Sequence, residues 1–174
     1  WFSLQLKGYD MGSEDIWQLT AQDLAKATTR GDITAEEATK ASIDRMQEVN
    51  PALNAVVVDL SEQALERARQ LDIDKAKGRN SGSLHGLPLT IKINVDQAGY
   101  PTSNGIPALK NEIAKADAPV VRNLQNAGAV VIGRTNTPEF SFRADTDNPL
   151  HGRTHNPWGK HISVGGSSGG AASA

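Results

Sequence analysis

The sequence predicts an α/β fold, in which helices alternate with short apolar strands. Stretches with apolar residues at helical spacing are followed by short runs of apolar or β-branched residues, as at Ala55–Val58. The chain has 174 residues and is 38% hydrophobic before its 16 glycines are counted, which is typical of a globular domain. A chain of this length and composition can bury one sizeable core.

Charge and glycine divide the chain near residue 78. Residues 1–77 contain 14 acidic residues, 9 basic residues and 3 glycines, whereas residues 78–174 contain 6 acidic residues, 9 basic residues and 13 glycines. We therefore predict a helical region over 11–77, and strands joined by functional loops over 78–174, as parts of one domain. Residues 1–10 have neither a clear period nor a cap, which predicts a poorly integrated leader.

Local capping signals predict two helices in the first region. Thr20 is placed to cap a helix that ends near Gly31. Thr34 and Glu37 form a capping box, which predicts the start of a second helix that ends at Asn50-Pro51.

The remaining elements are predicted from apolar runs and turn residues. In chain order they are a strand at Ala55–Val58, a helix at Ser61–Leu71, a strand at Leu87–Val95, a helix that Asp117 caps and Gly128 ends, and a strand at Ala129–Ile132.

Composition excludes several classes of function. The formal net charge is −2, so no basic excess is present to neutralise a nucleic-acid backbone. No apolar run is long enough to cross a membrane and no signal sequence is recognisable, which predicts a cytoplasmic protein without membrane contact. The chain has no cysteine, which removes thiolate metal sites and thiol nucleophiles.

The four histidines are predicted to be structural. His85, His151, His155 and His161 lack the His-x-x-x-His spacing of a metal-binding helix. We predict no metal site and no cofactor.

A glycine-rich motif, Gly-Gly-Ser-Ser-Gly-Gly, occupies Gly165–Gly170. A phosphate-binding loop would need Lys and then Ser or Thr after its last glycine, but Ala171-Ala172 follows here. A flexible linker is the other plain interpretation. The Asn156–Trp158 segment upstream and the helix-forming alanines downstream argue against it, because a linker needs neither.

Lys92 lies in the middle of a predicted strand, between Ile91 and Ile93. An amine that loses water there is driven toward its neutral form, which is a base. An edge-strand lysine that points to solvent is the alternative, and the residues alone leave both open.

Five segments that occur in one order resemble the amidase signature family. They are Leu84–Lys92, Ala98–Thr102, Gly133–Asn136, Asn156–Trp158 and Gly165–Gly170. The resemblance runs from about Thr20 to the last residue, and it implies a mixed β-sheet core flanked by helices.

The resemblance also implies a Ser-cisSer-Lys triad that hydrolyses carboxamides. Lys92 would be the general base and later the acid, and Ser167, after a cis peptide bond from Gly166, would relay the proton from the nucleophile. Ser168, Gly165 and Gly169 would support the site. The family's nucleophilic serine lies in a second glycine-rich loop beyond this motif, so we expect the chain to be an N-terminal portion, truncated after the glycine/serine motif.

One departure from the family pattern and one residue of open role concern the support of Lys92. The family often places Asp directly after the lysine, whereas this chain has Ile93 and Asn94, and its nearest acid is Asp96. Ser168 has two open roles, since it is placed either to orient the lysine or to serve as a surface-loop or N-capping residue of a helix that starts at Gly169.

Three functions follow from these observations. The first is an amidase that takes a small-molecule amide without contacting nucleic acid, with a homodimer left open. The second is the glutaminase-like subunit of a tRNA-dependent amidotransferase. The third, motivated by the missing nucleophile, is a non-catalytic binding fragment.

Overall fold

The computed structural model describes residues 4–6, 9–11, 13–79 and 81–174. Its strands and helices are β1 (Leu4–Leu6), β2 (Tyr9–Met11), a 3₁₀ helix (Ser13–Gln18), α1 (Ala21–Arg30), α2 (Ala35–Leu53), β3 (Val56–Asp59), α3 (Ser61–Ala76), β4 (Pro88–Lys92), a 3₁₀ helix (Pro107–Leu109), α4 (Pro119–Asn126), β5 (Val130–Thr135), a 3₁₀ helix (Glu139–Ser141) and α5 (Gly169–Ser173). Helices alternate with short strands, which confirms the predicted α/β class.

Three strands form a mixed sheet in the order β3-β5-β4. β3 pairs with β5 in the antiparallel direction. β4 and β5 run in the same direction, because the first residue of β5, Val130, donates from N to Leu87 O just before β4, and Ile93 N just after β4 donates to Thr135 O at the end of β5. The predicted mixed sheet is confirmed.

The chain folds as two compact units. Unit 1 comprises Trp1–Arg45, Leu60–Leu89 and Asn123–Ile132, and unit 2 comprises Met46–Asp59, Thr90–Arg122 and Gly133–Ala174. The division into a leader over 1–10 and two parts of one domain over 11–77 and 78–174 stays a prediction.

The predicted caps of α1 and α2 are confirmed. Thr20 Oγ1 accepts a hydrogen bond from Asp23 N at 3.1 Å at the start of α1. The capping box at α2 is closed in both directions, since Glu37 N donates to Thr34 Oγ1 at 3.0 Å and Thr34 N donates to Glu37 Oε2 at 2.8 Å.

The predicted end of α2 at Asn50-Pro51 is wrong, because the helix continues to Leu53 with Pro51 inside it. Pro51 lies in the last turn, so its missing N–H removes one hydrogen bond near the C-terminal end of the helix and interrupts no later turn. Asn50 ties this end of the helix to the start of β3, since its Oδ1 accepts from Ala55 N at 2.9 Å and Val56 N at 2.8 Å.

The predicted cap at Asp117 is also wrong. Asp117 Oδ1 accepts from Ala98 N at 2.8 Å and so fastens the loop after β4. α4 begins at Pro119, and proline suits a first helical position because its missing N–H has no helical partner there.

Other bounds differ from prediction by a few residues. β4 ends at Lys92 because Val95 N turns back to donate to Lys92 O at 3.0 Å. β5 extends to Thr135, and α3 extends to Ala76. β1 and β2 pair as a short antiparallel hairpin that the sequence analysis did not predict.

Each unit has a characteristic buried cluster. Unit 1 has an apolar cluster formed by Ile16, Leu24, Ala27, Ile33 and Ala38. Unit 2 buries a set of polar side chains beyond β5, namely Asn136, Thr137, Thr146, Asn148 and Thr154. No helix in the described part of the chain is long and apolar enough to span a membrane.

Candidate functional site

The Lys92 amine lies against two serine hydroxyls in unit 2. Lys92 Nζ donates to Ser167 Oγ at 2.8 Å and to Ser168 Oγ at 3.2 Å. Lys92 is the last residue of β4, and its side chain is half-buried. The fold therefore brings together the lysine and the first serine that the sequence analysis singled out, and it does not leave the amine pointing to open solvent.

Burial lowers the pKa of the Lys92 amine below its ordinary value. The cause is desolvation, which penalises the charged form. A larger fraction of the amine is consequently neutral near physiological pH than in a solvated lysine, and a neutral amine beside a hydroxyl can accept its proton.

The segment 165–169, here called the serine loop, presents Ser167 to the lysine. The peptide bond between Gly166 and Ser167 is cis, which confirms the prediction. A Cβ on Gly166 would overlap the carbonyl oxygen of Arg143 and stand 2.8 Å from Asp145 N. The serine loop thus lies directly on the main chain of residues 143–145, and only glycine fits at that position.

Two buried threonines hold the serine loop. Thr146 Oγ1 donates to Gly165 O at 2.9 Å and accepts from Gly169 N at 3.1 Å. Thr137 Oγ1 donates to Ser167 O at 3.1 Å. The sequence analysis missed both residues.

Ser168 immediately precedes α5 but does not cap it with its side chain. Its hydroxyl accepts from Lys92, and Thr146 supplies the acceptor for the first helical amide, Gly169 N. Of the two roles left open for Ser168, the structure shows the lysine contact.

A chain of polar side chains links the end of β4 to Ser167 by a second route. Asn94 Nδ2 donates to Ser141 Oγ at 3.1 Å, and Ser141 Oγ lies 2.9 Å from Thr137 Oγ1, which holds the Ser167 carbonyl. Ile93, at the position where the family often has Asp, is buried in the core. Asp96 accepts from Thr102 Oγ1 at 2.6 Å.

Buried amides organise the main chain around the site. Asn136 Oδ1 accepts from Asn148 Nδ2 at 2.7 Å, and Asn148 Nδ2 also donates to Thr137 O at 2.7 Å. A Cβ on Gly170 would overlap the main chain of Asn136, so α5 starts in direct contact with this network. The network therefore fixes the end of β5 relative to α5.

The histidines lie in other surroundings. His85 is buried in unit 1, and His151 Nε2 lies 3.5 Å from Ser103 Oγ in unit 2. Burial lowers the pKa of both imidazoles. Within the described ranges, no group of three or more His, Asp or Glu side chains is arranged to hold a metal ion.

Comparison with known proteins gives consistent matches. The family model described as Amidase matches residues 37–174. An indoleacetamide hydrolase of Bradyrhizobium diazoefficiens is 61% identical over 159 residues, which cover 91% of this chain and 30% of that protein. A glutamyl-tRNA(Gln) amidotransferase subunit of Moorella thermoacetica is 39% identical over 160 residues, which cover 92% of this chain and 33% of that protein.

The fold matches a solved structure as well. A bacterial aryl acylamidase of the amidase signature enzymes superimposes with a TM-score of 0.85 at 32% identity, covering 90% of this chain and 33% of that one. The chain spans about a third of the length of the curated relatives that it matches.

Proposed function

The chain belongs to the amidase signature family, and we propose that it supplies the lysine base and the bridging serine of an enzyme that hydrolyses carboxamide C–N bonds. The observation that carries this proposal is the hydrogen bond of 2.8 Å from Lys92 Nζ to Ser167 Oγ. It supports a proton path, because a partly desolvated amine and a hydroxyl are in direct contact.

The proposed proton path starts at the neutral amine. Lys92 accepts the proton of the Ser167 hydroxyl, and Ser167 takes the proton of the nucleophilic hydroxyl, which the family resemblance assigns to a serine beyond the glycine motif. The oxygen of the nucleophile then bonds to the amide carbon, the C–N bond breaks, and an acyl ester is left on the nucleophile. The proton returns along the same path to the departing amine, so Lys92 ends neutral again. Water then hydrolyses the ester with the same proton path, which releases the carboxylate and restores the nucleophile.

Ser168 has a supporting role in this scheme. Its hydroxyl accepts from the Lys92 amine at 3.2 Å, a longer contact than that of Ser167. It therefore orients the lysine without lying on the proton path. Gly166 serves the site by letting the serine loop lie on the main chain of residues 143–145, Gly169 by letting it approach the Thr146 side chain, and Gly165 by adopting a φ of +79°.

The first substrate class to test is a primary amide of an arylacetic acid. The relative with 61% identity is named an indoleacetamide hydrolase, and its similarity extends over nearly the whole chain. Hydrolysis of such a small-molecule amide releases ammonia and a carboxylate.

A second candidate is a role in a tRNA-dependent amidotransferase. It is favoured by the 39% identity to the glutamyl-tRNA(Gln) amidotransferase subunit of Moorella thermoacetica. In that role the amide would be the side chain of glutamine. The higher identity to the indoleacetamide hydrolase makes it the second choice.

Measuring ammonia release by the whole protein that carries this chain distinguishes the small-molecule amidase from the amidotransferase role. We expect release from indoleacetamide and not from free glutamine, and we expect Lys92→Met to lower it by at least about 10²-fold, because it removes the base and keeps the apolar stem. Lys110→Met is the matched control, because Lys110 is exposed on the surface of unit 2. Release from glutamine alone would favour the amidotransferase role, and release from neither amide would count against both.

A further inference from the structure

Ser168 stands where a serine normally caps a helix. A serine hydroxyl that precedes a helix usually accepts a hydrogen bond from one of the first helical amides, which otherwise have no partner in the helix. The Ser168 side chain makes no such bond to α5 and faces Lys92 at 3.2 Å. The Ser168 hydroxyl is therefore held by the lysine and not by the helix, and the first amide of α5, Gly169 N, which lies too early in the helix for an N-cap side chain to serve, has its acceptor elsewhere in the fold.

Thr146 provides that acceptor from 23 residues upstream. Its side chain is completely buried, and its hydroxyl accepts from Gly169 N at 3.1 Å. The same hydroxyl donates to Gly165 O at 2.9 Å. A single buried group thus binds the first and the last residue of the serine loop.

The fit at this point is close. A Cβ on Gly169 would overlap Thr146 Oγ1 and stand 2.7 Å from Val164 Cγ1, so residue 169 must be glycine for the threonine hydroxyl to reach the helix amide. Thr146 is also the next residue after the main chain of 143–145 on which Gly166 rests. The Thr146 hydroxyl consequently holds the serine loop in the position in which Ser167 contacts Lys92.

We propose that Thr146 is a positioning residue: its hydroxyl binds the first amide of α5 and the carbonyl of Gly165, and so closes the loop that presents both Ser167 and Ser168 to the Lys92 amine. This role rests on the proposed function, since it concerns how the lysine and serine pair is held. It goes beyond that function by naming the residue that holds both serines against the lysine.

Two substitutions of Thr146 distinguish the contribution of its hydroxyl from that of its side-chain shape. Thr146→Val keeps the branched shape and loses both hydrogen bonds, so both ends of the serine loop lose this anchor. Thr146→Ser keeps the hydroxyl and loses a methyl group. Thr39→Val is the matched control, because Thr39 in α2 is also completely buried and its hydroxyl has no hydrogen-bond partner within the described part of the chain.

Two readouts are measured on the whole protein that carries this chain. The first is steady-state hydrolysis of indoleacetamide. The second is the rate at which a trace of acetic anhydride acylates the Lys92 amine, read by mass spectrometry relative to Lys110, which does not depend on turnover. We expect Thr146→Val to lower kcat by about tenfold or more with KM within about twofold, and to speed acylation of Lys92, because a loosened serine loop leaves the amine more accessible.

Thr146→Ser and Thr39→Val should keep both readouts at the wild-type level. Adding Ser168→Ala to Thr146→Val should lower kcat less than Ser168→Ala does alone, since the Ser168 hydroxyl has already left the lysine. If Thr146→Val does not fold, Thr146→Ala replaces it, because the smaller side chain removes the hydroxyl without burying a new apolar group.

The proposal is overturned if the hydroxyl-free variants match the wild type in both readouts, if Thr146→Ser is impaired as much as they are, or if their effect adds fully to that of Ser168→Ala. If the proposed amidase function itself is wrong, the experiment gives a different result. In that case the wild type hydrolyses no amide, and the acylation rates alone decide the role of Thr146.

Discussion

The main-chain carbonyl of Ser167 accepts a hydrogen bond of 3.1 Å from the hydroxyl of Thr137, so the residue that meets Lys92 through its side chain is also held through its backbone. Thr137 is completely buried and follows β5 by two residues. The end of β5 and the serine loop are therefore joined at the point where the proposed proton path begins.

Thr137→Val should lower both stability and turnover. The change leaves the Ser167 carbonyl without this donor and removes the contact to Ser141, which together should cost about 1–3 kcal/mol of unfolding free energy. Chemical denaturation and kcat measure the two effects, and Thr137→Ser is the control that keeps the hydroxyl. A valine variant with wild-type stability would show that the hydrogen bond contributes nothing.

Removal of the two serine hydroxyls should have unequal effects. Ser167→Ala removes the proposed proton relay and should lower kcat by at least about 10²-fold, whereas Ser168→Ala removes only an orienting contact and should be milder. KM should change little in both, because neither hydroxyl is proposed to bind the substrate. An equal or reversed order of kcat values would contradict the assignment.

Turnover should rise with pH through one ionisation below that of a free lysine. Burial lowers the pKa of Lys92, so the amine loses its proton at a lower pH, and the neutral base accumulates as the pH rises. A profile of kcat/KM from about pH 6 to about pH 10 should show this limb and a plateau above it. The limb should be missing from the residual activity of Lys92→Met, and its persistence there would assign the ionisation to another group.

The parts of the structure that were predictable from sequence are those that local signals encode. The cap at Thr20 and the capping box at Thr34 involve partners three residues away, and both were recognised. The end of α2 was misjudged because Asn50 bonds across the turn into β3, which outweighs the helix-breaking tendency of Pro51.

The contacts of the site, in contrast, could not be predicted from local sequence signals. Lys92 and Ser167 were identified from the resemblance, because 75 residues separate them and no local pattern joins them. Thr137 and Thr146 have partners 30 and 23 residues away, and a threonine in a loop carries no mark of such a contact. Only the three-dimensional arrangement shows what these two hydroxyls hold.

Gly166→Ala should destabilise the fold more than Gly165→Ala. The new methyl group at 166 would overlap the carbonyl oxygen of Arg143, which is main chain and cannot rotate away, and the cost should be about 3 kcal/mol or more. Gly165 has a φ of +79° and no atom within 4 Å of the position that a Cβ would take, so alanine there should cost only the strain of a left-handed backbone, about 1–2 kcal/mol. Chemical denaturation compares the two variants, and equal losses would refute the steric explanation.

Asn136→Asp should be destabilising in a way that depends on pH. The Asn136 amide donates from Nδ2 to Gly152 O and to Thr154 Oγ1, both at 3.0 Å, and accepts at Oδ1 from Asn148 Nδ2. An ionised carboxylate at this buried position would place a second acceptor against the Gly152 carbonyl and would lose its hydration.

The sign of the pH dependence follows from that repulsion. Burial and the facing carbonyl disfavour the charged form, so the pKa of the new carboxyl should be higher in the folded than in the unfolded state. The loss of stability should then be full above the folded-state pKa and should shrink as the pH falls below it, because a protonated carboxyl can donate where the amide did.

Urea denaturation of the wild type and the Asn136→Asp variant at about pH 7.5 and about pH 5 measures the difference. Asn111→Asp is the exposed control and should show little loss at either pH. A deficit for Asn136→Asp that is equal at both pH values would mean that the lost amide shape, and not the buried charge, is responsible.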